Sequence, residues 1–144
     1  MRSSKALENS KPHLQRAWSM NTWIFVRHGE SVANAEKYLS GWENISLTSK
    51  GRSEALALKN TLETMLHKIE LELGKKPRVE LISSDLQRAV ETGQIATGGA
   101  NIFQDKRFRE RCFGAHQGKP KHILRESGIM EQLLSWNCDD PQIE

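Results

Sequence analysis

The run Thr22-Trp23-Ile24-Phe25-Val26 is short, β-branched and aromatic, and it stops abruptly at Arg27-His28-Gly29. A continuous apolar run of this length, ended by a glycine-bearing loop, reads as a strand buried on both faces, which demands packed layers on either side of it. The rest of the chain supplies candidates for those layers. Thr48 is a good N-cap for a long helix reaching about Leu73, in which Leu58, Leu62, Met65 or Leu66, Ile69 and Leu73 recur at steps of three or four. That stripe reads as core rather than as a cofactor-binding face. Gly74 ends the helix, and Lys75-Lys76-Pro77 turns the chain. Val79 to Ser83 is a second strand, and Ser84 caps a second helix, with Gln87 completing a capping box and Arg88 in the first turn. Gly98-Gly99 closes that helix, and Asn101 to Gln104 makes a short third strand. Strand, helix, strand, helix, strand predicts an α/β fold with a mostly parallel sheet flanked by helices. Beyond a polar loop from Arg107 to Gly118, Pro120 opens a last helix running towards Trp136, with Ile123, Leu124, Ile129, Met130, Leu133 and Leu134 as its buried face.

The 144 residues suit one domain or part of one. Residues 1–20 are polar and basic, with Glu8 the only acid and no apolar core for a secretory signal, so they read as a disordered or leader segment ahead of a domain over 21–144. Arg, Lys and Ser are frequent there, as in an organellar transit peptide, and Met20 offers an alternative start. No apolar run approaches bilayer-spanning length, which argues against a membrane partner. A formal net charge of +3 is too slight to point to nucleic acid, whereas a small anion needs only a few well-placed arginines. Cys112 and Cys138 lack metal-ligand spacing and read as reduced thiols of a cytoplasmic protein.

The chemistry concentrates where the first strand ends. In Val26-Arg27-His28-Gly29-Glu30-Ser31-Val32-Ala33-Asn34 a potential imidazole nucleophile is surrounded by anion-binding donors, and phosphate is the natural ligand for such a set. An isolated Arg-His pair is most often just a solvated loop pair, so the weight comes from three further segments. Arg88 lies at a helix N-terminus directly after a strand, in Ser83-Ser84-Asp85-Leu86-Gln87-Arg88-Ala89, where free backbone N–H groups favour an anion. Glu110, in Arg107-Phe108-Arg109-Glu110-Arg111, is a carboxyl able to donate a proton to a leaving oxygen, or else a salt-bridged loop residue. Ser40-Gly41-Trp42 is a small bendable turn that proves nothing alone.

Together, and in this order, these segments resemble the histidine phosphatase superfamily, most closely its phosphoglycerate mutase branch. The resemblance runs from about Thr22 to Lys121 and is most specific at Arg27-His28-Gly29-Glu30-Ser31 with Asn34, and at Ser83 to Ala89 followed by Thr92. Ser40-Gly41-Trp42 with Leu47-Thr48 and Lys50-Gly51, and Glu110-Arg111 with Phe113-Gly114-Ala115 and Gln117-Gly118, look mutase-like in particular. The resemblance implies a phosphoglycerate mutase-like α/β fold and phosphoryl transfer through a phosphohistidine, as in the glycolytic interconversion of phosphoglycerates. It casts His28 as the nucleophile, Glu110 as general acid and base, and Arg27, Asn34 and Arg88 as phosphate ligands. Ser40, Gly41 and Lys121 match mutase substrate contacts. The implied partner is a small phosphorylated metabolite, with 2,3-bisphosphoglycerate as phosphoryl donor and with no metal. Phe113 stands where the branch usually has Tyr, which removes a hydroxyl contact to substrate. The family also supplies a second pocket His from a later His-Gly motif, and this chain has one His-Gly, at His28-Gly29. The reading is therefore a domain incomplete at the C-terminus and truncated before that second His. Two alternatives stand beside mutase-like chemistry: hydrolysis of phosphate monoesters, and a non-catalytic phosphate-binding remnant.

Overall fold

A computed structural model describes residues 22–135. The proposed leader over 1–20, Cys138 and the end of the last helix at Trp136 lie outside the described residues. Among the described residues, seven regular elements follow in order: α1 (Val32–Ala35), α2 (Ser49–Leu73), β1 (Ile82–Ser83), α3 (Gln87–Thr97), β2 (Phe103–Gln104), α4 (Lys121–Glu126) and α5 (Ile129–Ser135). Short 3-10 turns cover Lys106–Phe108 and Gly114–His116.

The β1-α3-β2 unit is the α/β kernel. β1 and β2 pair in parallel, Ile82 against Phe103 and Ser83 against Gln104, with α3 as the crossover. Its sheet is smaller than the sequence predicts. Val79 to Leu81 stay outside β1, and Asn101 and Ile102 outside β2.

Residues 22–26, expected as a strand buried on both faces, belong to no sheet among the described residues, and Phe25 is 85% exposed. Apolar, β-branched character favours an extended chain, but burial needs a neighbouring strand and covering helices. None of the described strands lies beside this segment.

The long helix agrees with its sequence signals. Thr48 Oγ1 accepts from the Gly51 N–H at 3.0 Å, and Gly74 takes the left-handed conformation (φ 65°) that terminates the helix. Its stripe is only partly covered, however: Leu58, Leu62, Leu66 and Ile69 are half-buried, while Met65 and Leu73 are exposed. The reason is length, since the 11-residue α3 packs against the 25-residue α2.

The start of α3 corrects the expectation of a Ser84 capping box. The cap position is Leu86, which offers no side-chain acceptor, and the first helical N–H, of Gln87, donates to Asn44 Oδ1 at 2.8 Å. A residue 43 positions away therefore caps this helix. Asn44→Ala should destabilise the fold by about 1 kcal/mol, the usual worth of such a cap. Urea unfolding followed by circular dichroism measures it.

The last helix is also revised, because it breaks at Ser127-Gly128. Ser127 Oγ donates back to the carbonyls of Ile123 and Leu124, and Gly128 adopts φ 72°, which reverses the chain into α5. The break turns Leu124, Met130 and Leu133 inward against Leu39 and Phe113, with Ile129 packed alongside. Ile123 and Leu134, expected on the buried face, are exposed. Among the described residues, no helix is long and apolar enough to cross a membrane.

Candidate active site

Three loops converge on α3 because each is pinned by short-range bonding. Ser31 caps α1 through a reciprocal box with Asn34: Asn34 N–H donates to Ser31 Oγ at 3.3 Å, and Ser31 N–H donates to Asn34 Oδ1 at 3.1 Å. An antiparallel bridge from Ser31 to Leu47 brings the 29–34 loop against the start of α2, and another from Tyr38 to Pro120 fixes the 38–43 loop. Gln117 Oε1 then accepts from Trp42 N–H at 2.6 Å, joining that loop to the 110–117 segment.

Arg88 stands at the junction. Only 1% of it is exposed, and its guanidinium is shared among four partners. Nε donates to His28 Nε2 at 3.3 Å, Nη1 to the Glu43 carbonyl at 3.0 Å, and Nη2 to the Gly41 carbonyl at 2.8 Å and to Glu110 Oε2 at 3.2 Å. A planar fork with donors on every edge suits this task, and an ammonium does not. Of the sequence-predicted residues, His28, Arg88, Gly41 and Glu110 are thus in direct contact.

The state of the His28 ring follows from its neighbours. Nδ1 lies 2.7 Å from the Gly29 carbonyl, which can only accept, so Nδ1 carries the proton and Nε2 presents its lone pair towards Arg88. Burial chiefly holds the imidazole below its ordinary pKa of 6.5, and the positive charges of Arg88 and Arg27 act in the same direction. The Gly29 hydrogen bond and the Glu110 carboxylate oppose them without prevailing. A proton nuclear magnetic resonance titration should place the His28 midpoint below 6.5. Because the unfolded imidazole titrates at its ordinary value, the unfolded state takes up the proton first as pH falls. Stability should therefore decline from about pH 6.5 down through the lower folded midpoint, with no contribution from His28 above that range.

Glu110 is half-exposed where Arg88 is buried, so its carboxyl is held at the guanidinium and open to solvent. Arg27 is exposed, adjoins His28, and lines with it a shallow cleft of about 320 Å³ between residues 25–29 and α2. Asn34 is half-buried with Oδ1 engaged at Ser31, and its Nδ2 has no hydrogen bond among the described residues. Ser40 is buried beside Gly41, before the bend at Gly41 (φ 48°). Lys121 begins α4, where its backbone N–H donates to the Lys37 carbonyl, and its side chain makes no hydrogen bond to the His28 cluster.

Thr92, which the sequence offers only as part of a motif, couples the two halves of the site. Its Oγ1 donates to the Arg88 carbonyl at 2.7 Å and accepts from Gly29 N–H at 3.1 Å. Its spacing of four from Arg88 was the available signal, since that spacing places both on one face of a helix.

Residues 23–143 match the family described as the histidine phosphatase superfamily (branch 1). Among curated relatives, the 2,3-bisphosphoglycerate-dependent phosphoglycerate mutase of Thermobifida fusca is 36% identical over 122 residues, covering 81% of this chain and 46% of the relative. The corresponding mutase of Corynebacterium jeikeium is 34% identical over 118 residues, covering 78% and 43%. The chain thus spans less than half the length of these relatives. The solved structure of Bacillus stearothermophilus YhfR superposes with a TM-score of 0.60 at 32% identity, covering 76% of this chain and 50% of that one. With its family match extending over most of its length, this chain belongs to the histidine phosphatase superfamily.

Proposed function

We propose that this chain carries out the phosphohistidine-forming step of a phosphoglycerate mutase-like reaction on small phosphorylated metabolites, with 2,3-bisphosphoglycerate as the phosphoryl donor. The observation that carries the proposal is the buried Arg88 fork, which touches both His28 Nε2 and the Glu110 carboxylate. A nucleophile, a cation for the non-bridging oxygens and a proton carrier thereby meet at one point.

In this mechanism the His28 Nε2 lone pair attacks phosphorus in line with the leaving alcohol oxygen, and the N–P bond forms as the P–O bond breaks. Arg88, Arg27 and the Asn34 amide hold the non-bridging oxygens, neutralising charge that a metal would otherwise screen. Glu110 delivers a proton to the departing oxygen and then becomes the base for the return step. By the family resemblance, Ser40, Gly41 and Lys121 are the candidates for holding the remainder of the metabolite. The His28 environment supports this role, because an imidazole held below its ordinary pKa is an unprotonated nucleophile at neutral pH.

One observation favours a second reading, in which water rather than a retained hydroxyl accepts the phosphoryl group. Phe113 packs into the Leu39, Leu124, Met130 and Leu133 core, and so offers no polar group to hold a second substrate hydroxyl. Phosphorus resonance of the chain with 3-phosphoglycerate and a trace of 2,3-bisphosphoglycerate separates the readings. Mutase-like transfer gives 2-phosphoglycerate without accumulating inorganic phosphate, hydrolysis gives inorganic phosphate, and no change in any resonance contradicts both.

A further inference from the structure

Glu110 is gripped at two places. Arg88 holds its carboxylate, while the Trp42 indole Nε1–H donates to its main-chain carbonyl at 2.7 Å. The indole is itself fixed from two directions. Its backbone N–H is bound by Gln117, and the Arg109 guanidinium lies over the ring with its central carbon 4.9 Å from the centroid. A bidentate pair with Asp85 locks Arg109 in that position: Nε donates to Asp85 Oδ1 at 2.6 Å and Nη2 donates to Oδ2 at 2.5 Å. Asp85 precedes Arg88 by three residues. Both grips on Glu110 therefore originate at the start of α3.

We infer that Asp85, Arg109 and Trp42 form a clamp that positions Glu110 for proton transfer; the inference rests on the function proposed above. None of the three touches His28. They act through Glu110, which has no regular secondary structure to hold it and whose side chain is half-exposed. A carboxyl on such a segment would wander without a backbone anchor, and proton transfer needs the donor within hydrogen-bond reach of the leaving oxygen. An isolated ion pair at a surface does little. This one is four-fifths covered on the Arg109 side, two-pronged, and stacked on the ring whose N–H holds Glu110.

The test exploits the leaving group. An alkyl alcohol leaving from 2,3-bisphosphoglycerate needs the proton of Glu110, whereas p-nitrophenolate leaving from p-nitrophenyl phosphate does not. Trp42→Phe removes the indole donor and keeps a ring for Arg109, and Asp85→Asn releases Arg109 at constant size. Each variant should slow His28 phosphorylation by 2,3-bisphosphoglycerate about tenfold while leaving phosphorylation by p-nitrophenyl phosphate within about twofold. Equal slowing with both donors would reduce the clamp to general structural support, and no slowing with either would remove it. An activity-independent measurement accompanies these rates: hydrogen exchange of the Trp42 indole N–H should accelerate at least about tenfold in Asp85→Asn. Unchanged exchange overturns the clamp by itself. Failure of the unaltered protein to become phosphorylated by either donor would instead strike the proposed function, and leave indole exchange to decide the clamp.

Discussion

Arg88→Ala is expected to lower phosphoryl transfer to His28 by about two to three orders of magnitude, the usual consequence of removing a preorganised donor to the transferring group. The same change should destabilise the fold by about 2–5 kcal/mol, from about 1–3 kcal/mol for each carbonyl left without its donor. The structural reason is specific. The Gly41 and Glu43 carbonyls both accept from Arg88, and after its removal they lose those bonds, Gly41 in a buried and Glu43 in a part-buried setting. The loop carrying Ser40 to Glu43 would lose its tie to α3. With domain stability ordinarily about 5–15 kcal/mol, such a loss is a large fraction of the whole. Arg88→Lys should recover part of the stability and little of the transfer rate, because one ammonium cannot meet His28, Glu110 and two divergent carbonyls together. Denaturant midpoints and single-turnover phosphorylation measure the two effects separately.

Gly51→Ala should destabilise on the order of 3 kcal/mol despite lying in a helix, where alanine is ordinarily better than glycine by about 1 kcal/mol. Two opposing effects are in play, and contact distance decides between them. A Cβ on Gly51 would sit 2.1 Å from the Glu30 carbonyl oxygen, and one on Gly29 would sit 2.3 Å from the Gly51 carbonyl oxygen. Both obstacles are backbone, so no side chain can swing aside. The Glu30 carbonyl is also held in place, accepting from Thr48 N–H at 2.9 Å. Separating α2 from the 29–31 loop would move Gly29, whose N–H is bound to Thr92, and with it the adjoining His28. Gly51→Ala should therefore also broaden or shift the His28 imidazole resonances, an effect absent for a substitution such as Leu71→Ala on the exposed side of α2.

What the sequence made legible divides along the range of the interactions involved. The ends of α2 were readable because Thr48 and Gly74 act within a turn of themselves. The start of α3 was not, because its cap comes from Asn44 across the chain, leaving Ser84 free to lie just before the Asp85 pair with Arg109. Residues 22–26 carry the composition of a buried strand, but composition cannot supply the neighbours that bury it. Similarly, the α4 and α5 apolar positions are spaced as one helix, and only the Ser127-Gly128 reversal shows which of them turn inward.

In the site, His28, Arg88 and Glu110 were identifiable as candidates because the roles proposed for them rest on residue chemistry in recognisable segments, and the fold brings all three together. Gly41 was legible as a position but not in its contact, which is made by its carbonyl rather than by any side chain. The links through Thr92, Gln117 and Trp42 involve main-chain atoms 63 to 75 positions away, and no local pattern encodes them. Lys121 shows the converse case: its motif position is matched, and its side chain makes no bond to the cluster that was read from the same motifs.

In the proposed reaction His28 Nε2 accepts a phosphoryl group. Incubating the chain with 2,3-bisphosphoglycerate labelled in its phosphoryl groups, then mapping acid-labile, base-stable label by mass spectrometry, tests it directly. Label is expected on the peptide containing His28, lost in His28→Asn and strongly reduced in Arg88→Ala. Label on another histidine, or a His28→Asn protein labelled as well as the original, would contradict it.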